Sequence, residues 1–210
     1  LMPELEQGLS DGEFRLLAWA DVGWAYWFTR KPMYRPAELK RMRHFSWAGD
    51  YASEKLWHKG GFQPVPLASV DVLISLQTGV IDAFSTTPLV ALSFQWFTST
   101  PNMLDLKWGP IIGGLIISER TWSKLPTEYH SILERISKEM ETEARALVSE
   151  MNEALQVMVE NGLTIHQPSA EDREAWEELT VSFYPLIRGS LVPEGIFDRA
   201  IKLKKDLVEK

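Results

Sequence analysis

The sequence predicts an α/β fold, in which strands and helices alternate along the chain. Segments 42–47 and 62–67 are typical of strands, and the amphipathic segment 50–59 between them is typical of a helix. Because the links are short, this order favours a layered sheet with right-handed crossover connections. A hydrophobic content of 45% and nine tryptophans among 210 residues provide enough apolar side chains for a sizeable core.

Two apolar stretches precede these elements. Segment 14–20 predicts a strand that is buried on both faces. In the aromatic run that follows, alternation places Trp24, Tyr26 and Phe28 on one face of an extended segment and Trp27 on the other.

Segment 67–88 predicts a short strand end, a helix and a loop. The helix is expected to run from Ser69 to Thr78, with Ser69 as its N-cap and Asp71 near its positive end. Gly79 then ends it. The apolar segment 89–97 predicts a second helix.

The second half of the chain contains the longest predicted elements. Segment 102–117 is expected to be extended, with interruptions at 109–110 and 113–114. Apolar residues then repeat every three or four positions over 126–161, which predicts a helix of about 50 Å. A coiled-coil dimer is the alternative, but the irregular seam favours a helix docked on a two-lobed body.

Composition excludes several kinds of partner. The net charge of -7 and the lack of a basic block make nucleic acid and anionic membrane surfaces poor partners. Without cysteine the chain forms no disulfide or thiolate metal site, which suits an oxidising compartment. No signal peptide and no apolar run long enough to span a bilayer is recognised.

Four segments resemble motifs of one known family. Segment 67–88 (LASVDVLISLQTGVIDAFSTTP) is similar to a strand, an ALQ-x-G-x-x-D-G helix and a ligand-contacting loop. Segments 29–40 (TRKPMYRPAELK), 117–125 (ISERTWSKL) and 186–197 (LIRGSLVPEGIF) are similar to further motifs in the same order. Over nearly its whole length the chain therefore resembles the periplasmic solute-binding proteins of TRAP (tripartite ATP-independent periplasmic) transporters.

This resemblance implies a periplasmic-binding-protein-like, two-lobed fold of the class II type with a long spine helix. Lobe two is expected at 20–105 and essentially complete. Lobe one is expected to contain 1–19 and 106–210, including the long helix 126–161, and to be incomplete because family members are longer at the N-terminus. The implied function is periplasmic capture of a small molecule between two lobes, without a cofactor, and its delivery to TRAP membrane permease subunits.

The family's ligand-binding positions carry different residues here. The hallmark arginine, which pairs with a ligand carboxylate, falls on Phe45, and a second common arginine falls on Tyr26. A slip of register would instead place Arg43, which alternates with Phe45, at the hallmark position. An asparagine-bearing loop of the family falls on Ser85, Thr86 and Thr87.

These replacements imply a ligand that is apolar or weakly polar rather than a small carboxylate. The expected hydrophobic cleft is lined by four aromatic residues, and Thr86 and Thr87 bind a polar end of the ligand. The aromatic residues are Trp24, Tyr26, Phe45 and Trp47. For Trp24 and Trp47 core packing is an open alternative, whereas Trp96 and Trp108 are expected in the core or at a hinge.

We predict no enzymatic activity. No metal-ligand spacing, nucleophile motif or phosphate-binding loop is present, and the four histidines lie in separate elements. These are His44, His58, His130 and His166. Two functional hypotheses remain: a solute-binding component of a transporter, and an interaction protein that binds another polypeptide through its long helix and an aromatic groove.

Overall fold

The computed structural model describes residues 1–147 and 151–208, and it confirms the α/β class. The strands are β1 (Phe14–Thr29), β2 (Arg43–Trp47), β3 (Gln63–Leu67), β4 (Ala83–Thr86), β5 (Asn102–Ser118) and β6 (Thr164–His166). The helices are α1 (Met2–Asp11), α2 (Pro36–Leu39), α3 (Tyr51–Lys59), α4 (Val72–Gln77), α5 (Pro88–Ser93), α6 (Glu119–Trp122), α7 (Thr127–Leu147), α8 (Met151–Glu160), α9 (Ala170–Ile187) and α10 (Glu194–Val208).

The chain divides into two compact units. Unit 1 comprises Leu1–Val22, Ile112–Ser149 and Ile187–Lys210, and unit 2 comprises Gly23–Ile111 and Glu150–Leu186. The strand order is β3-β2-β4-β1-β5-β6, so β1 and β5 contribute residues to both units. The lobe boundaries expected from the sequence, at 20 and 105, stay a prediction.

In unit 1, side chains of β1 and α6 anchor the start of α7. The Arg15 guanidinium lies 4.7 Å from the centre of the Trp122 ring and donates to Glu119 at 3.1 Å. Trp122 in turn stacks on His130, with ring centres 4.1 Å apart. Along α7 a row of apolar side chains is exposed: Tyr129, Ile132, Ile136 and Met140.

In unit 2 the sheet packs aromatic side chains on both faces. On one, the front face, Phe28 stacks on Phe84 at 5.0 Å and Trp96 contacts Phe84 and Phe45. Residues of α4, α5 and α8 complete this core. The alternation expected in β1 is observed, since Tyr26 and Phe28 share the front-face core while Trp27 lies on the back face.

The back face of unit 2 carries a cluster of aromatic rings from five elements and one loop, here called the tryptophan cluster. It joins β1, β2 and β5 to α3 and α9. Its members are Trp27, His44, Trp57, Phe62, Trp108, Trp176 and Phe183. With aromatic cores on both faces, the short strands of unit 2 are held in a fixed register.

Both long strands differ from the sequence prediction. β1 is continuous from Phe14, and Phe14 is exposed, so its first part is not buried on both faces. β5 is not interrupted at its glycines. A side chain at Gly114 would meet Leu16 at 3.2 Å, so the glycines allow the two strands to pair closely instead of ending β5.

Two predicted helices also differ from the structure, and a third, the long helix, stays a prediction. The α-helix begins at Val72 rather than at Ser69, because Ser69–Asp71 forms a tighter 3-10 turn. The helix predicted at 89–97 ends at Ser93, since Gln95 adopts a left-handed conformation with φ 56° before a second 3-10 turn. Continuity of the long helix over 126–161 depends on residues 148–150, which lie outside the described residues.

Candidate functional site

Three parallel strands of unit 2 end at the same edge of the sheet. β2 pairs in parallel with β3 and with β4, so Trp47, Leu67 and Thr86 end side by side at what we call the carboxyl edge. β1 runs antiparallel to β4, and its Tyr26 pairs with Thr86. The part of β1 that belongs to unit 2 therefore begins at this same edge. In open α/β sheets ligands bind outside the carboxyl ends of the strands.

The four aromatic residues predicted to line the cleft fall into two groups. Trp47 and Trp24 are 57% and 39% exposed, so core packing is not their role. Tyr26 and Phe45 are each only 8% exposed and belong to the front-face core. Within unit 2, Tyr26 and Phe45 therefore lie in the packed core, where Phe45 contacts the rings of Trp47 and Trp96. Ligand contact at the four positions stays a prediction.

A continuous row of rings connects the exposed and the buried aromatic residues. Trp47 contacts Phe45 at 5.0 Å between ring centres, and Phe45 contacts Trp96 at 5.9 Å. Trp96 is buried, as expected for a core residue, and exposed Phe94 stacks on it at 5.2 Å. Trp47 is thus a solvent-facing ring that is held on a rigid aromatic base.

The three predicted hydroxyl residues do not share one position. Thr86 lies beside Tyr26 on the front face, whereas Ser85 pairs with Trp27 and lies on the back face. Thr87 immediately precedes α5 in the chain and is fully buried, and its Oγ1 has no hydrogen-bond partner among the described residues. The structure therefore places Thr86, itself only 7% exposed, on the strand between those of Trp47 and Trp24, and it places Ser85 on the opposite face.

Arg43 lies at the opposite end of β2 from Trp47. Four residue-to-residue steps along the strand separate Arg43 from Trp47, a distance of about 13 Å. Its guanidinium donates to Asp82 at 3.3 Å and to the Gly79 carbonyl at 2.6 Å, and Arg30 also approaches Asp82 at 3.8 Å. Arg43 thus holds the loop before β4 and does not replace an arginine at the carboxyl edge.

We expect the Arg43→Gln variant to bind solute as well as the unchanged protein does. The substitution removes a partly exposed ion pair, worth up to about 1 kcal/mol of unfolding free energy. Calorimetric titration would test affinity and urea denaturation would test stability. A loss of affinity without a loss of stability would contradict this placement.

The sequence did not single out two charged residues of β5, Lys107 and Asp105. The Lys107 ammonium lies 5.6 Å from the centre of the Trp24 ring, on the front face. Asp105 accepts a hydrogen bond of 2.6 Å from the Gln167 amide. Burial, and then the negative charge of Asp105, raise the pKa of Tyr26, so this phenol stays protonated. Lys107 and Asp105 lie near Trp24 and Tyr26 because β5 pairs with β1, and the sequence alone does not give this pairing.

The remaining polar groups indicate structural roles. His166 lies between the Tyr34 hydroxyl at 3.0 Å and Asn102 at 2.8 Å, and Asn102 donates to two carbonyls of the β1 end. Within residues 1–147 and 151–208 no group of three acidic or imidazole side chains is arranged to hold a metal ion. In the same part of the chain no helix is long and apolar enough to cross a membrane.

Comparison with known proteins identifies relatives of the whole fold. The family model described as "Bacterial extracellular solute-binding protein, family 7" matches residues 1–187. No curated protein sequence matches the chain significantly.

Solved TRAP periplasmic solute binding proteins are similar in structure. One from Shewanella oneidensis with bound succinate has a TM-score of 0.87 at 17% identity. The match includes 95% of this chain and 66% of the Shewanella oneidensis chain. One from Sulfitobacter sp. NAS-14.1 with bound β-D-galacturonate has a TM-score of 0.79 at 20% identity, with 87% and 61% covered. An apo, open one from Rhodobacter sphaeroides has a TM-score of 0.72 at 23% identity, with 97% and 66% covered.

These similarities establish the fold and leave the ligand open. The chain spans about two thirds or less of the length of these structures, and identity is low in all three. Two of them hold a carboxylate ligand. The comparisons therefore give no support to the expected hydrophobic cleft or to an apolar ligand in place of a carboxylate.

Proposed function

The chain belongs to family 7 of the bacterial extracellular solute-binding proteins, and we propose that it is the periplasmic solute-binding component of a TRAP-type transporter. In this role it captures a small organic molecule and delivers it to membrane permease subunits. The family is one of binding receptors, and in unit 2 the side chains of Tyr34, His166 and Asn102 are engaged in structural hydrogen bonds.

The observation that carries this proposal is the grouping of side chains at the carboxyl edge of unit 2. Trp47 and Trp24 expose aromatic surface there, and Thr86 lies between their strands. Exposed rings on a rigid base are costly to leave in water and are typical of small-molecule sites, where a few polar groups orient the ligand. The solute in this proposal has both an apolar surface and a polar group.

Native mass spectrometry of protein purified without denaturation tests the proposal. We expect one small molecule per chain, released by unfolding. Persistent absence of a small molecule, together with a tightly bound polypeptide, would instead support the interaction hypothesis, for which the apolar row on α7 would be the contact surface.

The Trp47→Ala variant should lose affinity for the captured solute about tenfold, because one aromatic contact surface is removed. Calorimetric titration measures the change. Tyr129→Ala is the matched control, since it removes a comparably exposed ring from α7 in unit 1 and should leave affinity unchanged. Equal affinities for the Trp47→Ala variant and the unchanged protein would place the site elsewhere.

A further inference from the structure

Lys107 is an exposed cation at the proposed site and has no carboxylate partner in the described part of the chain. Its ammonium is held over the Trp24 ring at 5.6 Å, within the range of a cation–π contact. No ion pair joins Lys107 to an acidic side chain among residues 1–147 and 151–208. An ammonium has three N–H donors, so the ring leaves donors that can bind an incoming anion.

One acidic side chain lies beside Lys107. Asp105 precedes it by two residues on the same face of β5 and accepts a hydrogen bond from the Gln167 amide. No ion pair joins Asp105 to a basic side chain in the described part of the chain. The site therefore offers one positive charge next to one negative charge, which favours one anionic group and repels a second.

Building on the proposed function, we propose that Lys107 binds the single carboxylate of an organic monocarboxylate whose apolar or aromatic part lies on Trp24 and Trp47. Lysine recognises the carboxylate as a point charge, whereas arginine would clamp it through two parallel hydrogen bonds. A dicarboxylate would place its second charge near Asp105. This chain would thus bind an acid, but through a lysine of β5 and not through the hallmark position, which is occupied by Phe45.

Four small probes separate charge from shape. Benzoate carries the ring and the carboxylate, benzyl alcohol has the ring without the charge, benzylamine has the opposite charge, and succinate has two carboxylates without the ring. We expect benzoate to bind at least about tenfold more tightly than each of the other three, because a hydrogen bond to a charged group is worth about tenfold or more. Its affinity should also fall as salt is added.

Variants of Lys107 test the residue itself. Lys107→Gln should weaken benzoate binding about tenfold or more and leave benzyl alcohol binding unchanged, a difference that a purely structural role would not produce. Lys107→Arg should retain most of the affinity for benzoate. Lys55→Gln on α3 is the matched control, since it removes an exposed lysine of unit 2 away from Trp24. Thermal unfolding at the same temperature as the unchanged protein shows that each variant is folded.

The inference is overturned if succinate or benzylamine binds more tightly than benzoate, if Lys107→Gln binds benzoate normally, or if no probe binds. Native mass spectrometry then distinguishes the two proposals. A small molecule that co-purifies with the chain would leave the solute-binding function standing without the monocarboxylate. Absence of both a co-purified molecule and probe binding would remove both.

Discussion

Replacing Trp27 by alanine is expected to lower the free energy of unfolding by about 3–5 kcal/mol. Trp27 is fully buried at the centre of the tryptophan cluster, where its ring centre lies 5.6–6.0 Å from those of His44, Trp57 and Trp108. Its removal leaves a cavity that rings on three different elements cannot fill by small movements. Urea denaturation followed by far-UV circular dichroism measures the change.

Two variants sharpen this expectation. The Trp27 indole nitrogen is buried without a hydrogen-bond partner among the described residues, so Trp27→Phe removes an unsatisfied donor as well as volume and should cost less than Trp27→Ala. Trp24→Ala is the control at an exposed tryptophan of the same strand, and should cost about 1 kcal/mol or less. A Trp27→Ala variant as stable as Trp24→Ala would contradict the placement of the unit 2 core.

The second large effect is a loss of stability in acid that is caused by His44. Burial lowers the pKa of His44 from its ordinary value of 6.5 to about 4, and the positive charge of His58 acts in the same direction, whereas a contact of 3.2 Å with the Phe45 carbonyl opposes it. Aromatic rings of Trp27, Trp57 and Phe62 surround the imidazole. The folded state therefore favours the neutral form of His44.

The direction of the effect follows from proton binding. Between pH 6.5 and about 4 the unfolded chain binds a proton at His44 that the folded chain does not, so stability falls as the pH falls through this window. At about pH 4, the acid end of this window, the loss in free energy of unfolding reaches about 3 kcal/mol. Urea denaturation at several pH values across the window measures it.

Substitution isolates the contribution of His44. His44→Phe should flatten the pH dependence, whereas His58→Gln, which removes an exposed imidazole, should leave most of it. An unchanged pH dependence in the His44→Phe variant would show that other groups cause the acid sensitivity.

The α/β class and the order of most elements could be predicted because they depend on local signals. The strand at β2, the helix α3 with Asp50 accepting from the Ser53 amide, and the strand β3 were all expected from periodicity and capping residues. Boundaries were less predictable where tertiary contacts decide them. Gln95 ends a helix that its apolar sequence would continue, and Gly113 and Gly114 lie inside a strand.

The site was predicted only in part, and the reason differs from residue to residue. The alternation of side chains along the strands predicted which face Tyr26 and Phe45 share. It could not show that Trp96 and Phe84 pack into the same core as these two residues. Arg43 could have been placed from the sequence alone, since the first residue of a parallel strand lies opposite the carboxyl edge. Lys107 could not, because its contact with Trp24 depends on the pairing of β5 with β1.

The most direct test of the binding site follows the indole N–H signals of the nine tryptophans by NMR while benzoate is added. Trp24→Phe and Trp47→Phe variants assign the two signals of interest. We predict that the signals of Trp24 and Trp47 shift in a saturable manner while those of the buried Trp27 and Trp176 do not. Shifts confined to other tryptophans would contradict a solute site at the carboxyl edge of unit 2, and no shift at all would contradict the binding of a monocarboxylate there.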